Sequence, residues 1–421
     1  MGDIIDDLQW RGLVAQSTDI DLLRQSLAAG PVTFYCGYDP TAPSLHHGHL
    51  VQLILMKHLQ NAGHRPLTLV GGATGLIGDP RMSGERQLFD TDVVAGWVEG
   101  LKAQISKFLD FDGPHAARMV NNLDWTSGMS AIELLRDLGK YFRLGTMLAK
   151  DAVASRLNSE EGISYTEFSY QILQANDYLQ LFERYNCTLE TGGNDQWGNL
   201  VGGMDLIRKK HGTSVHVMTT PLITKADGTK FGKSEGGAVW LDPQMLSPYA
   251  FYQFWLNTED ADVVRFLKVF TFLSRAEIEE LEVEVRERPQ ARVAQRALAK
   301  AVTSLVHGTE ECERVIGATQ ALWGSGDLRQ VDGTILGQAV SDLPEAAVVL
   351  GQTTVVDLLV DSGMEKGRAA ARRTVASGGA YVNNEKVLDE DAPVQASDVL
   401  PGNIVLFRKG RRNLGVGRVS E

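Results

Sequence analysis

Three histidines, His46, His47 and His49, stand close together in the segment DPTAPSLHHGHL, at the point where helical spacing of apolar residues begins. Imidazoles grouped in this way can bind a metal ion, because histidine is the commonest protein ligand for transition metals. The alternative is a polar helix start that has no chemical role. The three residues alone favour the polar helix start.

Two glycine-rich segments could bind phosphate groups. GGATGLIGDP at 71–80 follows a strand pattern, but it lacks the G-x-G-x-x-G spacing of a dinucleotide site. GTKFGKS at 228–234 resembles a Walker A loop, which requires four residues between its first glycine and Gly-Lys-Ser. Only three residues are present here, and Asp227 occupies the place of the glycine. Both generic interpretations are therefore disfavoured.

The elements that would carry these segments follow an alternating pattern. VTFYCGY at 32–38 predicts a buried strand, the residues from Gly48 to about 61–63 predict an amphipathic helix, and PLTLVGG at 66–72 predicts a second strand. Strand, helix and strand in this order form a βαβ unit. Further strands are predicted at 117–122, 187–193 and 216–223. We therefore expect a doubly wound parallel-sheet α/β domain, Rossmann-like in fold.

The later part of the chain changes in character. After about residue 245 the apolar residues recur every three or four positions, which predicts helices. Residues 331–351 are polar and weakly periodic, and we interpret them as a linker. The last seventy or so residues predict two short helices followed by strands such as AYVNN and NIVLFRK.

Composition narrows the class of protein. The 421 residues are 43% hydrophobic with a net charge of −12, which is typical of a globular protein and unfavourable for one that coats nucleic acid non-specifically. No apolar run is long enough to span a bilayer, and the acidic start MGDIIDDLQW does not resemble a secretory signal. Three widely separated cysteines predict neither a disulfide framework nor a Cys-x-x-Cys metal site. We expect a cytoplasmic protein without a membrane association.

Considered together, the motifs resemble one family. DPTAPSLHHGHL resembles the His-x-Gly-His signature of class I aminoacyl-tRNA synthetases, and GTKFGKS resembles their Lys-Met-Ser-Lys-Ser loop in a Lys-Phe-Gly-Lys-Ser variant. FYCGYDPTA, GGATGLIGDP, EFSYQILQANDY and GGNDQWGN resemble segments of bacterial tyrosyl-tRNA synthetases, in the family's order. The likeness covers residues 30–260 closely and the C-terminal part more loosely. The sequence departs from the strict signatures at His47 and at Phe231-Gly232.

The resemblance implies activation of an amino acid by ATP, with ATP as a substrate accompanied by Mg²⁺ and no tightly bound metal. This reaction needs positioning and stabilisation of negative charge rather than a general base. The catalytic residues implied are His46, His49, Lys230, Lys233 and Arg86. The ATP-binding residues implied are Gly37, Asp39, Thr41, His46, Gly48, His49, Asp195, Lys230, Lys233 and Ser234.

The resemblance also implies a binding site for tyrosine. Tyr35 and Asp177 would supply the hydrogen-bond partners that a buried phenol hydroxyl requires. The tyrosine-binding residues implied are Tyr35, Asp79, Tyr170, Gln174, Asp177 and Gln196.

The C-terminal part resembles a small RNA-binding module of a small-subunit ribosomal protein, the S-four-like domain. Residues 351–421 carry 10 Lys and Arg against 9 Asp and Glu, whereas the first 350 residues carry 31 against 44. Cationic side chains there would contact phosphates, which gives affinity rather than sequence selection. The RNA-binding residues implied are Lys366, Arg368, Arg372, Arg373, Arg408, Lys409, Arg411 and Arg412.

The domain organisation that follows has five parts. They are a catalytic domain at 1–225 with a dimer contact near 130–165, the Lys-Phe-Gly-Lys-Ser loop at 226–245, a helical anticodon-recognition domain at 246–330, the linker at 331–351 and the S-four-like domain at 352–421. The expected partners are L-tyrosine, ATP, tRNA(Tyr) and a second copy of the chain.

Two other functions compete with tyrosine–tRNA ligation. A tryptophan-specific relative would share the fold and both signature loops, but an indole offers one donor and no acceptor to the Tyr35 and Asp177 pair. A non-catalytic RNA-binding paralogue would have no use for His46, His49, Lys230 and Lys233.

Overall fold

The computed structural model describes residues 3–80, 84, 87–160, 162–229, 231–232, 238–324, 326–410 and 413–420, with only the backbone of Asp151. Two compact units are present: Met1–Leu246 with Thr258–Leu298, and Ser247–Asn257 with Ala299–Glu421. The predicted residues Arg86, Lys230, Lys233, Ser234, Arg411 and Arg412 lie outside the described residues.

The strands of the first unit form one six-stranded sheet. They are β1 (Gln16–Ser17), β2 (Thr33–Tyr38), β3 (Arg65–Val70), β4 (Arg118–Asn121), β5 (Cys187–Gly193) and β6 (His216–Thr220), in the order β1-β6-β5-β2-β3-β4. Strands β2 to β6 are parallel, and β1 pairs antiparallel with β6. The five predicted strands are confirmed. The two-residue β1 was not predicted, because so short a segment has no periodicity.

The strand order reverses between β2 and β5. From β2 the chain adds β3 and then β4 on one side, and it returns to place β5 on the other side of β2. In an open α/β sheet this reversal leaves a crevice at the carboxyl ends of the strands, where ligands bind. The predicted doubly wound fold is confirmed.

Eighteen helices occur along the described chain. They are α1 (Ile4–Arg11), α2 (Ile20–Ala29), α3 (His47–Asn61), α4 (Thr74–Ile77), α5 (Thr91–Ile105), α6 (Leu123–Thr126), α7 (Leu144–Leu148), α8 (Asp151–Leu157), α9 (Tyr165–Tyr185), α10 (Trp197–His211), α11 (Pro248–Leu256), α12 (Asp260–Phe270), α13 (Arg275–Glu287), α14 (Val293–His307), α15 (Thr309–Leu322), α16 (Gly333–Ala339), α17 (Val355–Asp361) and α18 (Arg368–Ala376), besides short 3₁₀ and π turns. Within the described residues no helix has both the length and the apolarity to span a membrane.

Helix α9 brings functional side chains to the crevice. Its N-cap Ser164 accepts a hydrogen bond from the backbone N–H of Glu167, which satisfies one free donor of the first turn. The Glu167 carboxylate is buried and lies 3.1 Å from the buried guanidinium of Arg156 in α8. Because a charge in the interior requires a partner, this pair ties the start of α9 to α8.

The first compact unit has an edge at Leu246, but the predicted helical domain at 246–330 is divided between the two units. Helices α12 and α13 belong to the first unit, and α11 belongs to the second. One reason is the buried Arg11 in α1, whose guanidinium donates to the carbonyls of Lys268, Thr271 and Leu273 at the end of α12. Helical periodicity does not reveal such a long-range contact.

The predicted linker at 331–351 is wrong in part, because this segment is folded into the second unit. It contains α16 and the strand β7 (Glu345–Val348), in which Ala346 and Val348 are buried. The other strands are β8 (Ala380–Val382), β9 (Glu385–Lys386), β10 (Ile404–Lys409) and β11 (Asn413–Val419), in the order β7-β11-β10-β8-β9. Strand β7 pairs parallel with β11, some seventy residues later, and four residues show too little alternation for prediction.

Candidate active site

A cleft of about 640 Å³ opens at the carboxyl ends of β2 and β5, at the reversal of strand order. Its lining combines residues from strand ends, from the start of α3 and from one face of α9. Among the predicted site residues, it includes Tyr35, Gly37, Asp39, Thr41, His46, Gly48, His49, Asp79, Tyr170, Gln174, Asp177, Asp195 and Gln196. The structure thus brings together every predicted tyrosine- and ATP-site residue that it describes.

The histidines at the start of α3 are held by the backbone. Nδ1 of His46 accepts from the N–H of Gly48 at 3.0 Å, and Nδ1 of His49 accepts from the N–H of His46 at 3.2 Å. The two rings stack with centroids 4.0 Å apart. Because both Nδ1 atoms are acceptors, each neutral ring carries its proton on Nε2.

Burial keeps these rings uncharged. Desolvation lowers the pKa of His46, lowers that of His47 to about 4, and lowers that of His49 well below its usual value. Near pH 7 the cluster therefore offers neutral N–H donors rather than cations. Neutral donors together with free amides at a helix start suit an anion.

The sequence departs from the family signatures at His47 and at Phe231-Gly232, and these positions contact each other. The Phe231 ring lies edge-on to the His47 ring with centroids 5.2 Å apart, and it packs on Phe266 at 4.4 Å. Gly232 has a φ of +80°, and a Cβ there would lie 1.9 Å from the His47 ring. A histidine at 47 and a glycine at 232 are therefore coupled, because the ring fills the space that a side chain at 232 would need.

The closed end of the cleft carries a buried carboxyl group. Asp177 accepts hydrogen bonds from Asn122 Nδ2 at 3.0 Å and from Trp125 Nε1 at 2.8 Å. Burial, opposed by these two donors, raises the pKa of Asp177 to about 7. The buried Tyr35 lies at the same end, and desolvation raises the pKa of its hydroxyl well above its usual value, as do Glu190 and Asp177.

A second carboxyl group at this end was not predicted. Glu190 on β5 is buried, lines the cleft and is the register partner of Tyr35 on β2. Desolvation raises its pKa well above the usual value, and Asp177 raises it further. The only indication in the sequence is a single carboxylate within the strand CTLETGG. The alternation of residues in that strand does not show whether this position is buried or exposed.

The opposite wall of the cleft is a network around Asp79. Its carboxylate accepts from Gln196 Nε2 at 3.0 Å and from Asn199 Nδ2 at 3.2 Å. The buried Oε1 of Gln174 has no hydrogen-bond partner among the described residues. A carboxylate and a free amide oxygen facing one cleft can accept hydrogen bonds from an ammonium group.

Asp39 connects several parts of this wall. Its Oδ2 accepts from the Tyr170 hydroxyl at 2.7 Å, and its Oδ1 accepts from the Thr74 hydroxyl at 2.6 Å. Both oxygens therefore position neighbouring side chains, a role that the sequence analysis did not assign. Thr74 lies in the glycine-rich segment 71–80, which forms the turn from β3 into α4.

Asn122 and Trp125 are further residues that the sequence analysis missed. They follow β4, and Asn122 also donates to Thr74 Oγ1 at 2.8 Å. Polar residues directly after the last residue of a parallel strand were the signal that could have identified them, because such positions reach the crevice.

The predicted RNA-binding cations of the second unit differ in their surroundings. Lys366 and Arg373 are exposed and form no ion pair with another described residue, whereas Arg368 pairs with Asp357 at 2.8 Å. Arg372 lies 3.6 Å from both Glu390 and Asp391. Two further cations form hydrogen bonds within the second unit. Arg408 donates to Asn384 and to the Leu322 carbonyl, and Lys409 donates to the Met364 carbonyl.

Comparison with known proteins agrees with this geometry. The family described as tRNA synthetases class I (W and Y) matches residues 27–324, and the tyrosine–tRNA ligase SYY-like C-terminal domain matches residues 336–415. A tyrosine–tRNA ligase of Streptomyces coelicolor is 59% identical over 421 residues, which is 100% of both chains, and one of Streptomyces griseus is 60% identical over 100% of this chain and 99% of the other. A C-terminally truncated mitochondrial tyrosyl-tRNA synthetase of Aspergillus nidulans is 32% identical with a TM-score of 0.70, covering 76% of this chain and 94% of that one.

The raised pKa of Asp177 predicts a specific dependence of stability on pH. Between the unfolded pKa of 3.8 and the folded value of about 7, the folded chain binds the extra proton, so the stabilisation by Asp177 is lost as pH rises. Relative to Asp177→Asn, we expect the wild-type free energy of unfolding to fall by about 3 kcal/mol from pH 4 to pH 7. Urea unfolding of both proteins at several pH values measures this. The histidines have the opposite slope, but it cancels in the difference.

Asp124→Asn is the matched control, because Asp124 is an exposed aspartate on α6, next to the Asp177 partner Trp125. Its difference from wild type should stay within about 0.5 kcal/mol at every pH. A difference between wild type and Asp177→Asn that does not change with pH would contradict the assignment.

Proposed function

The chain belongs to the class I tRNA synthetases of the W and Y family, and we propose that it is a tyrosine–tRNA ligase whose cleft forms tyrosyl-adenylate from tyrosine and ATP. Tyrosine is then transferred to the 3′ end of tRNA(Tyr). The enzyme class follows from the family and from curated relatives matched along the whole chain.

The observation that carries the choice of tyrosine is the pair at the closed end of the cleft. Tyr35 and Asp177 are buried there, and Asn122 and Trp125 hold the Asp177 carboxyl in place. A phenol hydroxyl donates one hydrogen bond and accepts others, which matches a carboxylate and a hydroxyl. An indole has no acceptor, so it would leave the Tyr35 hydroxyl unpaired.

The remainder of tyrosine fits the opposite wall. The substrate ammonium group would donate to Asp79, to Gln174 Oε1 and to Tyr170, with Gln196 holding Asp79. Specificity for the amino acid would therefore use both ends of the cleft.

ATP would lie across the mouth, with its phosphates at the start of α3. The Nε2–H groups of His46 and His49 would donate to the phosphate oxygens, and Gly48 leaves room for the nucleotide at the helix start. Gly37, Thr41 and Asp195 line the same mouth. Lys230, Lys233 and Arg86 keep the catalytic role, and Ser234 the ATP-binding role, that the family resemblance implies.

Mg²⁺ would bind together with ATP. Asp39 and Asp195 supply carboxylate oxygens at the mouth, which is the ligand type that Mg²⁺ prefers. The ion would neutralise the charge that develops on the phosphates as pyrophosphate leaves, and the carboxylate of tyrosine needs no deprotonation by the protein.

The second unit would bind tRNA(Tyr) through phosphate contacts. Lys366 and Arg373 carry this proposal, because they are exposed and unpaired within the described residues. The helices between 246 and 330 keep the proposed anticodon role. The enzyme would work in the cytoplasm, where its three buried free cysteines suit a reducing environment.

A homodimer is proposed from an exposed apolar surface near residues 130–165. Ile132, Leu135, Leu144 and Tyr165 are 65%, 59%, 66% and 66% exposed, respectively. Large apolar side chains grouped on a surface mark an interaction site, and a two-fold contact uses the same surface on both copies.

The proposed contact of His46 with phosphate can be tested separately from its role as the N-cap of α3. His46→Asn keeps an N-cap acceptor for α3 but lacks the Nε2–H donor, so the free energy of unfolding should stay within about 1 kcal/mol of wild type. Tyrosine-dependent exchange of labelled pyrophosphate into ATP should fall about 10²- to 10³-fold, as for loss of one transition-state donor.

His211→Asn is the control, because His211 lies outside the cleft and should give wild-type exchange. Absence of tyrosine-dependent exchange in the wild type would refute the proposed function. Full exchange in His46→Asn would refute only the role of His46.

The RNA-binding role is best tested by point substitution. Removal of residues 352–421 would take away β11, the sheet partner of β7, and so damage the rest of the second unit. We expect Lys366→Ala with Arg373→Ala to weaken tRNA binding and to reduce the slope of log affinity against log salt by about 2, with pyrophosphate exchange unchanged.

Arg418→Ala serves as the control, because Arg418 is paired with Glu345 at 2.6 Å. Filter binding across a salt series measures both quantities. An unchanged salt slope in the double variant would show that these cations do not contact phosphate.

The proposed dimer predicts a two-fold mass in solution. Sedimentation equilibrium at micromolar concentration should give a dimer for the wild type and a monomer for Leu144→Glu with Ile132→Glu, because buried unpaired charges oppose association. Leu388→Glu, at an 81% exposed position of the second unit, should leave the dimer intact. A monomeric wild type would overturn the proposal.

A further inference from the structure

Glu190 lies beside the substrate-facing hydroxyl of Tyr35. The two residues are opposite each other on the parallel strands β5 and β2, and each is 2% exposed. Both line the cleft. Strand register therefore places a carboxyl group behind the phenol that is proposed to contact the tyrosine side chain.

Two polar atoms of this pair are buried without a hydrogen-bond partner among the described residues. Within the described residues, Tyr35 Oη and Glu190 Oε2 are buried and form no hydrogen bond of full geometry. The two groups nevertheless influence each other's pKa, so they lie within interaction range. Buried polar groups cost free energy unless they are hydrogen-bonded, so the pair and a ligand are expected to satisfy one another.

The surroundings of Glu190 contain no cation among the described residues. The titratable groups that face it are Cys36 and Tyr35 on β2, Asp177 and Tyr178 on α9, and Cys187 on its own strand. Helix α10 contributes Gly203, where a Cβ would lie 3.4 Å from Glu190 Oε2, and β6 contributes Val217 as register partner. Among the described residues of this shell, only the Tyr35 hydroxyl lowers the pKa of Glu190, whereas burial and Asp177 raise it and together outweigh that contribution.

The two carboxyl groups at this end have different environments. Asp177 receives two hydrogen bonds, from Asn122 and Trp125, which stabilise its ionised form. For Glu190 the only hydrogen-bonding group found among the described residues is the Tyr35 hydroxyl. When two neighbouring carboxyl groups differ in this way, the one with donors ionises first and the other keeps its proton.

We propose that Glu190 is a positioning residue for tyrosine specificity, in which its protonated carboxyl group donates a hydrogen bond to Tyr35 Oη. The Tyr35 hydrogen is thereby directed into the cleft and donates to the phenol oxygen of the substrate, whose own hydrogen goes to the Asp177 carboxylate. This inference rests on the proposed function, since it assigns the partner of Tyr35 in the same site.

The direction of the hydrogen bond between Glu190 and Tyr35 determines where the Tyr35 hydrogen points. If Glu190 were ionised, the Tyr35 hydrogen would turn towards it, and the substrate oxygen would lose its donor. Phenylalanine has no hydroxyl, so it would make no hydrogen bond with Tyr35 or Asp177 whether or not Glu190 is protonated. Glu190 is therefore expected to affect the use of tyrosine and not that of phenylalanine.

Two variants of similar size test the proposal. Glu190→Gln retains a neutral N–H donor, whereas Glu190→Leu removes it. Tyrosine- and phenylalanine-dependent pyrophosphate exchange would be measured for each. We expect Glu190→Leu to lower kcat/KM for tyrosine at least tenfold with that for phenylalanine within twofold, and Glu190→Gln to stay within threefold of wild type for both.

Thr68→Val is the control, because Thr68 is buried on the adjacent β3 without lining the cleft, and both substrates should be used as in wild type. An unchanged ratio of the two specificity constants in Glu190→Leu would overturn the inference, as would an equal loss for both substrates. A loss in Glu190→Gln as large as in Glu190→Leu would show that Glu190 acts as an ionised acceptor, which also overturns it. Tyrosine-dependent exchange by the wild type tests the proposed function separately.

Discussion

The burial of the Asp177 carboxyl group is the constraint on which the site depends. A carboxylate removed from water must be compensated by hydrogen bonds, and both of its oxygens accept one from the segment after β4. That segment can reach α9 only because β3 and β4 lie on the same side of β2. The order of the sheet thus brings the segment after β4 within hydrogen-bond distance of α9.

The same principle governs the histidine cluster. Helix α3 begins with rings whose Nδ1 atoms accept backbone hydrogen bonds, which fixes the remaining proton on Nε2. Since burial also keeps the rings neutral, the proposed ATP site would stabilise phosphate charge with oriented dipoles. Dipoles of this type need no rearrangement when charge develops, whereas exposed cations would be screened by solvent.

The second unit shows how short elements acquire their structure from distant partners. Strand β7 has four residues and no stability of its own, but β11 supplies its hydrogen bonds and buries Ala346 and Val348. The hydrogen bonds that Arg408 and Lys409 donate to carbonyl groups likewise join residues that are far apart in the chain. Cationic residues that look alike in the sequence therefore differ in their contacts, and only the folded structure distinguishes them.

The sequence by itself determined the five parallel strands, the helix at His46–His49 and the cleft residues that occur in motifs, because periodicity and motif spacing are local properties. It did not determine Asn122, Trp125 and Glu190 as site residues, nor the partners of Asp39, because these depend on which strands are neighbours. It also predicted a linker where β7 lies. Hydrogen bonds between residues far apart in the chain exist only after folding, so the tertiary structure alone decided which polar groups are buried, which are paired and which face the cleft.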